Sequence, residues 1–415
     1  MKYIPYKIAV LIFVLLLNGC SDVLDKDPLD EISSGTVWAS EDNAMMALYG
    51  AYRGNIAYNG EVYGVDDWWG YYGLVFLELA SDNALDRRRA GSPFEQLING
   101  TLTTNNGIID GYWTSAYLRI SRSNDVLDNI DKVPMDDSKK ERMKAEARFL
   151  RATQYFYLSQ HFGDVPLVET VLTAKEANNV KKTSKADLAN WISKELQEVA
   201  DVLPRHKAIL ASERGRASVQ AALAFLGRLQ LAEKKYTEAA ATYKKIIDYN
   251  ENIIDPNYQT IFLSSNENSD ENIFVSTFKE ELAANSMAQQ AFPGKNGGWC
   301  FFCPLSGLFE SYQFKNGVSF SYDDPSYDPV HLEKNRDPRL GFTLLCNNTN
   351  FVNSLYISHP DSSLATSDAT KVGQQTTQTG FLMRKYFDES VAGIDLRKGY
   401  GNDFPIIRYA EVLLI

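Results

Sequence analysis

The side chains best suited to chemistry in this sequence are flat rings. Asp66-Asp67-Trp68-Trp69-Gly70-Tyr71-Tyr72 sets four large rings within five positions, beside two carboxylates. Such rings stack on the C–H faces of sugars, while acids and amides next to them bond the hydroxyls. Consecutive aromatics cannot all face one core. The segment therefore either shows some rings to solvent or a partner, or plugs a gap between the first helix and a loop region. Trp299, Phe301, Phe302 and Tyr312, beside Gly297-Gly298, form a second cluster with the same two readings. The candidate ligand-binding residues are Trp68, Trp69, Tyr71, Tyr72, Trp299 and Tyr312.

Catalytic patterns are missing from the sequence. The four histidines, His161, His206, His331 and His359, are scattered, with no H-E-x-x-H. Neither a G-x-S-x-G elbow nor a phosphate loop is present. Cys300-Phe-Phe-Cys303 has the spacing of half a zinc site, yet no second pair completes it, and a thioredoxin-type motif needs a βαβ context that is absent. A disulfide and buried thiols fit these cysteines and Cys346 equally. Asp323, Asp324 and Asp328 lie close but do not follow the EF-hand order, so a solvated turn is expected. The chain's 53 acidic residues include no pair singled out for glycoside hydrolysis. The expectation is a protein that is not an enzyme, without catalytic residue, metal or cofactor.

Positioning these rings falls to helices, because helix-period patterning dominates to about residue 254. Ser40 is a natural N-cap for a run with Ala44, Met45, Leu48, Ala51, Tyr52 and Ile56 on one face. Further helices are expected over Ile108–Val133, Ser138–Phe162, Ser184–Leu203, Ala217–Ala232 and Tyr236–Tyr249, stopped by Pro134, Gly163 and Pro204 where the pattern breaks. His161, at one such end, reads as a contact with the helix dipole. Leu223-x₂-Leu226-Gly227 followed by Ala239-x₃-Tyr243 has tetratricopeptide spacing, with Tyr243 filling the groove that Gly227 and Ala239 leave open. Such units need stacked neighbours. Beyond residue 255 glycine, asparagine, serine and proline become dense. Short β pieces are expected at Ile273–Thr277 and Leu340–Leu345, and a final apolar-striped helix over Phe404–Ile415 that stops in mid-pattern. The fold class is mainly α: a tetratricopeptide-like helical repeat scaffold with a loop-rich region containing short β pieces.

Composition narrows the partners. The 415 residues carry a net charge of −11, which argues against nucleic acid, since phosphate contacts need a basic footprint. Lys2 and Lys7 flank a head before Ile8–Leu17, an apolar run of ten residues covering about 15 Å as a helix, half of a bilayer's hydrocarbon. This is the h-region of a signal peptide. Leu17-Asn18-Gly19-Cys20 follows and resembles the bacterial lipobox, which places lipid on Cys20. The expected organisation is a signal peptide at 1–19, lipid anchor and tether at 20–39, a helical-repeat region at 40–254 and a loop-rich region at 255–415.

Ordered blocks along the whole chain resemble the SusD/RagB family of surface nutrient-uptake lipoproteins. They include Val37-Trp38, Leu48-Tyr49-Gly50-Ala51-Tyr52, Ala145-Glu146-Ala147-Arg148-Phe149-Leu150-Arg151-Ala152 leading to Phe162-Gly163-Asp164-Val165-Pro166-Leu167, and Gly215-Arg216-Ala217. Arg336-Asp337-Pro338-Arg339-Leu340, Arg384-Lys385-Tyr386 and Arg408-Tyr409-Ala410-Glu411 complete the series. The resemblance implies stacked tetratricopeptide-like units, capture of oligosaccharides or peptides for import, with a glycan as the expected nutrient, and a lid-like partnership with a TonB-dependent, SusC-like outer-membrane transporter. It also implies attachment to the outer membrane through lipid on Cys20, and a closing segment past Glu411 that this chain does not include. Arg148, Arg151, Arg216 and Arg408 are expected to brace helices. The rival readings are an exported lipid-anchored hydrolase and a protein-interaction scaffold using the repeat groove.

Overall fold

The computed structural model describes residues 37–54, 67–280, 284–363, 368–370, 375–391 and 401–415. The leader, Cys20, the tether to residue 36, Ile56 and Asp66 lie outside the described residues.

Six long helices form the scaffold: α1 (Glu41–Arg53), α2 (Gly107–Asn129), α3 (Asp137–Phe162), α4 (Lys185–Ala200), α5 (Val219–Ala232) and α6 (Tyr236–Tyr249). Each packs against the next in sequence, the stacking that repeat units require. The starts of α1 to α5 follow from side-chain caps that satisfy first-turn N–H groups. Ser40 accepts from Asn43 N at 3.3 Å, Asn106 from Ile109 N at 3.1 Å, Ser184 from Asp187 N at 3.1 Å and Ser218 from Ala221 N at 3.1 Å. Asp136 caps α3 through Ser138 N at 2.8 Å. Gly163, at φ +75°, ends α3, and Asn250 in the left-handed region ends α6. The α4 helix stops at Ala200, short of the expected Leu203, and its chain leaves through two turns before Pro204.

The α5–α6 hairpin has the predicted contact. A Cβ placed on Gly227 would lie 2.6 Å from the Tyr243 ring, so only glycine lets the ring cross there. Tyr243 and Ala239 are buried, and Tyr243 Oη donates to Ala224 O at 3.3 Å.

The remaining chain forms two-stranded antiparallel ladders among the described residues. They pair β1 (Ala84–Asp86) with β5 (Phe302–Pro304), β2 (Val165–Pro166) with β3 (Lys182–Thr183), and β4 (Asn272–Ser276) with β10 (Phe404–Arg408). Likewise β6 (Leu344–Leu345) pairs with β9 (Leu382–Met383), and β7 (Thr349–Phe351) with β8 (Ser354–Tyr356). The β4 strand matches the piece expected at Ile273–Thr277. Two expectations need correction. Phe404–Ile415 is a strand followed by a short helix, Tyr409–Leu414: Pro405 breaks a helix, and Phe404, Ile406 and Ile407 are all buried. Leu340–Leu345 begins as the helix Arg339–Thr343, opened when Asp337 accepts from Arg339 N at 2.9 Å beside Pro338, and only its last two residues are strand. One continuous apolar core runs from Ala44 to Val412, and a smaller cluster gathers on Phe309, Leu340, Leu344 and Cys346.

Candidate functional site

The first aromatic segment is packing. Asp67 and Arg119 form an ion pair at 3.0 Å with both side chains fully buried. Arg119 also donates to Ala51 O at 3.1 Å, and to Tyr52 O and Arg53 O at 3.3 Å, closing the C-terminal carbonyls of α1. Its guanidinium lies 4.4 Å from the Trp69 ring. Trp68 stacks on Tyr112 at 4.2 Å, Tyr157 at 5.2 Å and His161 at 4.5 Å, so α2 and α3 occupy its faces. Trp68, Trp69 and Tyr71 are 3%, 2% and 2% exposed, so of the two readings of this segment the buried plug is the one their exposure fits. The buried charge pair, 52 positions apart in sequence, draws the segment inward.

The second cluster is built differently. The β1–β5 ladder joins the loops around residues 84–92 and 299–304, pairing Ala84 with Pro304 and Asp86 with Phe302. Beyond the ladder, Arg87 N donates to Phe301 O at 2.9 Å and Arg87 Nε to Trp299 O at 2.9 Å. Trp299 and Phe301 stand 5.4 Å apart and tilted by 45°, both half-buried. Arg88 lies over the Phe301 ring at 4.1 Å and Arg87 at 5.3 Å. Arg88 is held in place by Asp86, which accepts from its Nε at 3.0 Å and from Ser92 Oγ at 2.8 Å. Tyr72, also half-buried, packs edge-on to Phe94 at 5.5 Å and interacts electrostatically with Arg88. Of the six expected residues, Trp299 and Tyr72 are both half-buried and both lie beside the Arg87–Arg88 turn, the first through Arg87 and the second through Arg88.

Tyr312 sits elsewhere, half-buried against the smaller cluster, where burial raises its phenol pKa. Near it Phe320, Tyr322 and Tyr327 form an edge-to-face trio, with separations of 4.8, 5.5 and 5.3 Å. Tyr322 is 54% exposed and donates to Glu310 Oε1 at 2.9 Å, which fixes its ring. Sequence reasoning missed Arg87, Arg88 and Tyr322. The signal for the first two was available: 87–89 is the chain's only run of three consecutive arginines or lysines. The pairing that brings them onto Phe301 was not visible.

Cys300, Cys303 and Cys346 are free and buried, and burial pushes the Cys300 and Cys303 thiols up to about 12 and about 11. No group of three or more potential metal ligands occurs among the described residues. Asp328 accepts from Val330 N at 3.0 Å, His331 N at 3.1 Å and Lys334 Nζ at 3.0 Å, as a turn residue does. The family-motif arginines brace elements: Arg148 and Arg151 pair with Glu195 at 2.7 and 3.1 Å, Arg216 with Glu146 at 2.8 Å, and Arg408 with Glu271 at 2.6 Å. A cleft of about 510 Å³ runs between α1, the 211–216 turn and β4, lined by Tyr49, Arg53, Arg214, Arg216 and Lys279. Its Arg214 and Arg216 are already paired, to Glu267 at 2.9 Å and to Glu146 at 2.8 Å.

Two family models match the chain: the SusD family over residues 257–415, and "starch-binding associating with outer membrane" over residues 75–231. A solved SusD-like carbohydrate binding protein of Bacteroides fragilis is 46% identical, with a TM-score of 0.87, covering 91% of this chain and 74% of that one. SusD-like protein P2 of Formosa agariphila is 23% identical over 99% of this chain and 76% of its own length. Surface glycan-binding protein A of Bacteroides thetaiotaomicron, solved with laminarihexaose, shares the fold at 20% identity and TM-score 0.65, covering 91% of this chain and 78% of that one.

Proposed function

This chain belongs to the SusD family, and we propose that it is a lipid-anchored, surface-exposed glycan-binding protein that delivers oligosaccharide to a TonB-dependent outer-membrane transporter. The observation that carries ligand binding is the Trp299–Phe301 pair, half-exposed and fixed by Arg87 and Arg88 from a loop more than two hundred positions earlier. Rings held rigid in advance lose little entropy on stacking with a sugar face, and binding energy concentrates in such anchors. Tyr322 offers a second fixed ring. No helix among the described residues is long and apolar enough to cross a membrane, so attachment in this reading falls to Cys20. The 46% identical relative, described as carbohydrate binding, supports the ligand class.

The test is retention on native gels containing a panel of polysaccharides, followed by titration with the ligand that retards the protein. Trp299→Ala should weaken binding by about 2 kcal/mol or more with the melting temperature nearly unchanged. Unaltered affinity in that variant would move the site away from this surface. Assays for release of reducing ends or peptides address the hydrolase reading, and turnover there would displace the proposal.

A further inference from the structure

We propose that the glycan taken by this surface carries anionic substituents, carboxylates or sulfate esters, an inference that rests on the glycan-binding reading above. In a chain of net charge −11, the only run of three consecutive arginines or lysines, Arg87-Arg88-Arg89, lies on the loop that touches Trp299 and Phe301. Adjacent like charges repel, and Asp86 offsets part of that repulsion. Asp86 is engaged by Arg88 through Nε at 3.0 Å and by Ser92 Oγ at 2.8 Å. Arg89 is exposed and has no ion-pair partner among the described residues.

The type of cation matters. A guanidinium stacked on a ring keeps its in-plane N–H groups directed outward, where they fit a carboxylate or sulfate two at a time; an ammonium offers only a point charge. Arg88, 4.1 Å over Phe301, gives its Nε and Nη2 edge to Asp86 at 3.0 and 2.5 Å, so the guanidinium left for a ligand anion is that of the exposed Arg89 next to it. Both loops also hold a non-glycine residue in the left-handed region, Arg89 at φ +51° and Cys300 at φ +53°. Such conformations are strained and persist where the surroundings fix them. Here they set the direction of Arg89 and of the backbone beside Trp299. A ring face with an anionic edge is the ligand shape that an aromatic pair flanked by arginines complements. On an acidic protein that otherwise repels polyanions, this patch is the place where one can dock.

The experiment titrates the protein with polygalacturonate as the carboxylate arm, carrageenan as the sulfate arm, and amylose and laminarin as neutral arms, each at 20 and 300 mM NaCl. At low salt at least one anionic arm should bind tenfold or more tighter than either neutral glycan, and its affinity should fall at least fivefold at high salt. Arg89→Gln should lower that affinity at least fivefold and remove most of its salt dependence, with an unchanged melting temperature. Lys194→Gln, an exposed lysine on α4, controls for general charge and should have no effect. Neutral glycans binding as tightly as both anionic arms, without salt dependence, would overturn the anionic assignment and leave glycan binding standing. Absence of binding in all four arms, with Trp299→Ala indistinguishable from the parent, would overturn both.

Discussion

A methyl group at Gly227 would sit 2.6 Å from Cε2 and Cζ of Tyr243, inside any tolerable contact distance. Gly227→Leu should therefore overpack the α5–α6 crossing and cost about 1–3 kcal/mol or more, read from the denaturant midpoint. A midpoint equal to the parent's would show that the hairpin does not close on this ring. The tryptophans divide by the same physics. Trp68, covered by Tyr112, Tyr157 and His161, should cost about 3–5 kcal/mol as Trp68→Ala. Trp299, half-exposed, should cost little stability. Equal melting temperatures for the two variants would contradict the burial assigned to Trp68. Sequence could not make this division, because Asp67 and its counter-charge Arg119 are 52 positions apart. The thiols give a simpler readout. With pKa values of about 12 and about 11, Cys300 and Cys303 hold almost no thiolate at pH 8. An aromatic disulfide reagent should label them only after denaturation, and rapid labelling of the native protein would show them accessible.

Helices were legible because most carry their own punctuation: a capping side chain at the start, a glycine, asparagine or proline near the end, and a 3.6-residue apolar period between. Tyr236–Tyr249 has no side-chain cap at its start, yet its apolar period after a short turn gives the same bounds. Strands β10 and β6 were harder, since two to five apolar residues have no period long enough to tell helix from strand, and pairing with a distant partner decides. Phe404–Arg408 became strand through β4, more than a hundred positions earlier. The same separation hid the candidate site, whose two loops meet through β1 and β5. At the head of β10, Asp403 is buried beside Arg214 and Glu267 and accepts from Phe278 N at 2.9 Å. Burial pushes its carboxyl up to about 7, against the partial opposition of Arg214. The folded pKa exceeds the unfolded value, so this group's contribution is complete below about 4 and is lost as pH rises through 7. Its effect on unfolding free energy should approach at most about 1.4 kcal/mol per pH unit within that window. Asp403→Asn should flatten the pH profile between 4 and 8. A profile with the parent's slope would assign the titration to another group.

At the scale of the molecule, one core joins the repeat helices to the loop-rich half, and ion pairs secure the join. Arg228 on α5 reaches Glu411 at 2.6 Å and Ile406 O at 2.8 Å, while Arg408 reaches Glu271 at 2.6 Å. Within the described residues the core's first apolar member is Ala44, 24 positions beyond Cys20. The lipobox-like Leu17-Asn18-Gly19-Cys20 and the acidic stretch after it thus precede every side chain placed in the core. Anchoring and folding should be separable on that account. In a host with the lipoprotein pathway, Cys20→Ala should abolish incorporation of radiolabelled palmitate and release the protein from the membrane fraction. The variant's melting temperature and its affinity for the retained glycan should match the parent's, because the described parts of the Trp299 surface, Tyr72, β1 and β5, all lie beyond the tether. Palmitate labelling equal to the parent's would sink the lipobox reading. Loss of labelling accompanied by loss of binding would instead show that the anchor segment contributes to the glycan site.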